Sequence, residues 1–162
     1  MRAGLAAGME LERPALRRLR TELRRAASLA VAGRALARRD LSSRALASRL
    51  DRAGASREVV DATMGALVEA GLVDDARVAN AWTTRLCERG WGDVAILARL
   101  ERAGIDGEVA EAAVRALPPE RERARTLIDG EADPRRAART VARRGFAQET
   151  LEDLFPALDA DD

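Results

Sequence analysis

Apolar positions along this chain recur at helical spacing in short runs, and each run stops at a glycine. Ile96 and Leu100 precede Gly104 by eight and four residues, Leu86 precedes it by 18, and Leu117 follows it by 13. Leu36, Leu46, Leu50 and Leu67 stand at the same offsets from Gly54, and Leu127, Ala137, Val141 and Leu158 stand at them from Gly145. Three frames of one template, each 32 residues from first to last position, indicate an internal repeat. Spacings of three and four predict helices with one buried stripe. No alternation of period two predicts a strand.

Stop and start residues divide the pattern into elements. Residues 1–8 are expected to fray, and a helix is expected from Glu10 to about Arg39, with Pro14 in its first turn, Leu16, Leu19 and Leu23 on one face, and Gly33 as a weak point. Ser42 or Ser43 is placed to cap a helix carrying Leu46 and Leu50, and Ser56 to cap one carrying Val60, Met64 and Leu67. Gly71 closes that third helix. In the second repeat, Asp74 or Asp75 caps a helix bearing Val78, Ala79, Trp82 and Leu86, and Gly90 ends it. Trp91 falls where Leu41 stood in the first repeat, Asp93 opens the next helix, and Asp106 caps a helix with Ala110, Val114 and Leu117. The third repeat follows the break at Pro118 and Pro119, with Ala124, Leu127 and Ile128, then Asp133–Pro134 as a helix start, and a last helix using Leu151, Phe155 and Leu158.

The expected organisation is therefore all-α. A basic helical extension (1–26) precedes three tandem three-helix repeats (27–72, 73–117 and 118–158), and residues 159–162 form an acidic tail. A unit this short has too little interior to fold alone, so neighbours are expected to complete each other's cores, stacking into an elongated, curved rod. The stretch from Ser42 to Val73 also resembles a helix-turn-helix with the exit to a wing. The residues that follow are helical in period, however, and the pattern recurs twice more, which disfavours a winged domain.

Composition narrows the function. There is no His and no Tyr, and the single Cys, Cys87, has no His to pair with, so an enzyme is not expected. Asp74 and Asp75 lack the spacing of a metal loop and read as caps, and the Gly90–Trp91–Gly92 step lacks the strand that a nucleotide loop follows. No metal or cofactor is expected. The absence of a long apolar run and of a signal peptide, with one cysteine, points to a cytoplasmic protein with no membrane partner. Trp82 and Trp91 read as buried anchors of the second repeat.

The net charge of +1 is unevenly distributed. Residues 1–49 hold twelve Arg against four acids (+8), and residues 50–162 hold sixteen Arg against twenty-three acids (−7). Every basic residue is Arg. Such asymmetry fits a polyanion at one end, and equally a solvated basic helix. Arg52, Arg102 and Arg143 each lie two residues before a repeat glycine, and Arg49 and Arg99 lie three residues earlier on the same face. Cations suit helix C-termini, and that local preference alone accounts for the repetition. The functional reading is a row of guanidiniums facing phosphates or an acidic groove. With Arg144 beside Arg143, the candidate contact residues are Arg49, Arg52, Arg99, Arg102, Arg143 and Arg144.

The order of glycines and acids in the middle repeat carries a resemblance. Leu67, Gly71, Leu72, Asp74, Asp75 and Ala79, then Arg85, Gly90, Gly92, Ile96, Leu100, Gly104 and Ile105, with Arg143, Arg144, Gly145 and Phe146 near the end, resemble the bacterial regulatory protein RecX family from about Ala35 to Leu158. The resemblance implies a modulator of the RecA recombinase in DNA repair and recombination. Such a protein binds the RecA–DNA filament along its groove and limits filament growth, ATP hydrolysis and strand exchange. It implies no catalytic residues. A monomer is expected. The alternative is a helical protein that binds single- or double-stranded DNA directly through its Arg-rich surface.

Overall fold

The computed structural model describes residues 12–156. The expected fraying of residues 1–8, a helix start at Glu10, the core position Leu158 and the acidic tail lie outside the described residues. Within them the chain is all-α, with no strand: α1 (Arg13–Leu36), α2 (Ser43–Arg52), α3 (Arg57–Glu69), α4 (Asp75–Glu88), α5 (Asp93–Arg102), α6 (Gly107–Arg115), α7 (Glu120–Leu127), α8 (Pro134–Arg143) and α9 (Gln148–Leu154). The described residues divide into two compact bodies, one of residues 12–39 and 46–72 and the other of residues 40–45 and 73–156.

In the first body α1 packs on α3. Ala32 and Ala35 are buried, as are Leu46, Leu50, Val59, Val60 and Leu67. The α1 helix runs unbroken through Gly33. Its early stripe is poorly covered: Leu16 and Leu19 are half-buried and Leu23 is 61% exposed. The buried side of α1 is instead Ser28, Ala32 and Ala35, a small-residue face that allows close helix approach.

The second body contains two complete three-helix repeats. In one, α4, α5 and α6 enclose Val78, Ala79, Ile96, Leu100, Ile105, Ala110, Ala113 and Val114, with Trp82, Leu86, Trp91 and Leu117 packed around them. In the other, α7, α8 and α9 enclose Ala124, Val141 and Phe146, with Leu127, Ile128, Leu151, Leu154 and Phe155 around them. Phe155 contributes from just beyond the last helix, because α9 ends at Leu154.

The stop at Gly104 shows how the template works. Gly104 has φ +82°, a left-handed conformation open to glycine but strained for a residue with a side chain. There its N–H donates to Glu101 O at 2.9 Å, and Ile105 N–H donates to Leu100 O at 3.0 Å. This Schellman closure satisfies two orphan carbonyls and brings buried Ile105 against buried Leu100. Gly54 and Gly145 repeat the conformation at +84° and +70°.

The helix starts divide differently. Asp74, Asp106 and Asp133 each accept a hydrogen bond from a backbone N–H in the first turn, at 2.9, 3.0 and 2.9 Å. Ser42 accepts from Ala45 N–H at 3.2 Å. Ser56 sits at the N-cap of α3 without a side-chain cap, contrary to expectation. Asp75 lies one step inside α4 and accepts from Ser43 N–H at 2.7 Å, a link across 32 residues.

Candidate functional site

Two groups of arginines in the second body have opposite environments. The first group gathers where the second and third repeats meet. Two glycines make that meeting close: a Cβ on Gly92 would fall inside the backbone of Gly145 and Phe146, and one on Gly145 would lie 2.5 Å from Ala95 Cβ. Gly92 N–H donates to Arg144 O at 3.0 Å and Ala95 N–H to Gly145 O at 3.2 Å. The free N–H groups at the start of α5 are thus paired with free carbonyls after α8, which meets the needs of both helix ends at once.

Glu120, the first residue of α7, completes this arrangement. Its carboxylate accepts from Asp93 N–H at 2.6 Å, from Ala147 N–H at 3.0 Å and from the Thr150 hydroxyl at 2.6 Å. One side chain therefore serves the first turns of α5 and α9, two helix N-termini where negative charge is favoured. Segment 40–45, in the same body, follows the same scheme: the Ser42 hydroxyl donates to Ala103 O at 2.5 Å, and Ser43 N–H donates to Asp75. By repeat register Ser42 and Ser43 correspond to Gly92 and Asp93, so this joining pattern is itself part of the repeat.

Arginines fill the remaining polar sites of the joint. Arg123, whose side chain is only 9% exposed, pairs with Asp93 and donates to Trp91 O at 3.2 Å and Pro118 O at 2.9 Å. Arg144 donates to Arg89 O at 2.9 Å, at the end of α4. Trp91 lies beneath two guanidiniums: Arg99 at 3.7 Å and Arg144 at 5.1 Å from the ring centroid, both within cation–π range. Burial pushes the Asp93 carboxyl above its usual range. The hydrogen bond and charge of Arg123 oppose that rise, and the neighbouring Glu120 carboxylate adds to it.

The second group stands open. Arg136, Arg139 and Arg143 line, with Ala142, an open cleft of about 520 Å³ on α8. Of the six residues singled out from the sequence, only Arg143 belongs here. Arg99 and Arg144 are drawn together on Trp91, and Arg102 is exposed at the end of α5. Arg49 and Arg52 are exposed at the end of α2 in the first body, where Arg52 Nε donates to Ser48 O at 3.2 Å. Sequence reasoning missed Arg123 and Glu120, whose roles depend on contacts 27 to 32 residues away. It also missed Arg136 and Arg139, which the lack of any acid in the α8 segment could have flagged.

No group of three or more His, Cys, Asp or Glu side chains among the described residues could hold a metal, and Cys87 is half-buried. No helix among them is long and apolar enough to cross a membrane. What the geometry defines is an all-helical repeat protein whose second and third repeats are locked by backbone-to-backbone pairing, with cationic surface beside the lock. Residues 74–114, the second repeat, match the family model described as RecX, second three-helix domain. The chain superposes on the crystal structure of RecX from Lactobacillus salivarius with TM-score 0.75 at 17% identity, covering 85% of this chain and 97% of that one. It superposes on a crystal structure of regulatory protein RecX with TM-score 0.76 at 18% identity, covering 94% of this chain and 83% of the other. No curated protein matches by sequence. The second repeat thus matches a RecX domain, and the chain shares the fold of the RecX crystal structures.

Proposed function

We propose that this chain is a regulator of RecA that binds the RecA–DNA filament along its groove and limits filament growth, ATP hydrolysis and strand exchange. The observation that carries this reading is the second repeat, where the family match coincides with the glycine-paired joint. The match of the second repeat to a RecX domain supports regulation of RecA, and binding along the filament is the finer step. The architecture supports it. A series of three-helix repeats, each closed by the same glycine stop, suits a partner that is itself a repeating polymer. The protein acts in the cytoplasm as a monomer, through contact rather than chemistry, with exposed Arg49, Arg52, Arg102 and Arg143 as contact residues.

The test is ATP hydrolysis by a preformed RecA filament on single-stranded DNA, titrated with this protein beside a bare-DNA binding control. Inhibition that is stronger than bare-DNA binding can account for is the expected result. Unchanged hydrolysis at a several-fold excess of this protein would defeat the proposal.

A further inference from the structure

The α8 helix carries four arginines and no acid over its ten residues. Three of them, Arg136, Arg139 and Arg143, follow one another at spacings of three and four, so they share a face and stand in line along the axis. Arg57 and Arg115 are each neutralised at that spacing, by Asp61 and Glu111. Here the neighbour at that spacing is another arginine. Like charges so placed repel and destabilise a helix. Arg136 is held by Glu131 at 3.2 Å, and no ion pair reaches Arg139 or Arg143 among the described residues. Helix polarity does not explain the series either. A cation is favoured in the last turn, where Arg143 sits, but Arg136 lies in the first turn, where the helix dipole opposes it.

We propose that the face of α8 formed by Arg136, Arg139 and Arg143 is a docking surface for the sugar–phosphate backbone of duplex DNA. Their axial rises, about 4.5 and about 6 Å, extend the line over about 10 Å, which spans roughly three phosphates of one strand. An acidic protein surface would present isolated carboxylates, whereas a phosphate backbone supplies anions continuously along such a line. Duplex is favoured over single strand by what the cleft lacks. Single-strand sites stack bases on aromatic rings. The cleft lining is arginine and Ala142 alone, while Trp82, Trp91, Phe146 and Phe155 are all packed in the two core clusters. The contact therefore reads backbone and not sequence, and it is weak and salt-sensitive.

The measurement is fluorescence anisotropy of a labelled duplex of about 20 base pairs with the full chain, from about 50 to about 200 mM NaCl. The triple variant R136Q/R139Q/R143Q is expected to flatten the slope of log K against log salt by about 2 to 3, since each lost phosphate contact removes about 0.9. The double variant R57Q/R115Q, which removes arginines already paired with acids, is expected to keep the slope. Helical circular dichroism confirms folding, and R139Q alone, flattening the slope by about one, serves if the triple variant does not fold. An unchanged slope in the α8 variants would overturn the proposal, as would absence of duplex binding at the lowest salt. Equal or tighter binding to a single strand of the same length would overturn the choice of duplex. The assay contains no RecA, so its failure leaves the filament reading standing, and failure of that reading leaves this one standing.

Discussion

Arg144 and Arg143 are neighbours in the chain and opposites in circumstance. Arg144 points into the joint, with a carbonyl and the Trp91 ring to hold it. Arg143 lies on the open side with Arg136 and Arg139. One residue step on a helix turns a side chain by about 100°, enough to move it from a satisfied environment to an uncompensated one. The difference teaches that a count of arginines says little about binding. What matters is which guanidiniums the fold has already engaged, and at the joint between the second and third repeats those are Arg99, Arg123 and Arg144.

The contrast can be broken most severely through Gly92. Gly92→Ala places a methyl inside the backbone of Gly145 and Phe146 and should lower stability by about 3 kcal/mol or more in urea denaturation. A loss below 1 kcal/mol would mean that the close approach is not required. Glu120→Ala comes next, because three donors on α5 and α9 lose one acceptor. About 2 kcal/mol is expected for this half-exposed carboxylate, again by urea midpoint. Arg144→Gln should destabilise by about 1 kcal/mol through the lost carbonyl bond and ring contact. If Arg144→Gln proves neutral, the division into engaged and open arginines fails.

A smaller effect concerns pH. The Asp93 carboxyl is raised from 3.8, by burial first, so between that value and its folded value the native state holds more protons than the unfolded chain. Stability contributed by the protonated form is therefore fully present below that window and is lost as pH rises through it. Asp93→Asn should remove this fall, seen as a wild-type-minus-variant difference that declines across the acid range. A flat difference would sink the assignment. Smallest of all, Arg139→Gln should change stability by less than about 0.5 kcal/mol, with any shift toward greater stability, because it relieves repulsion. A clear loss on heating would mean that Arg139 is engaged after all.

Much of the fold was legible because each repeat announces its own limits. Gly54, Gly104 and Gly145 stop their helices as the spacing predicts, and Leu46, Leu50, Ile96, Leu100 and Val141 fill the core. Local rules left some helix starts undecided. Ser56 has the right residue type for a cap and makes no cap bond, and Asp75 serves Ser43 while Asp74 caps α4. Position in the repeat treats Arg49 and Arg99 alike. Only the second repeat has Trp91 at the corner, and the ring takes Arg99. A tryptophan where the first repeat has Leu41 hinted at that difference, but nothing local says which cations would lie over it.

Glu120 has one more consequence. Because the same carboxylate anchors the opening turns of α5 and α9, the second repeat's amides cannot open independently of the third repeat. In hydrogen exchange Gly92, Asp93 and Ala95 should report the unfolding of α7 to α9 rather than fraying of their own helix, so that two repeats separate in sequence exchange as a single cooperative unit.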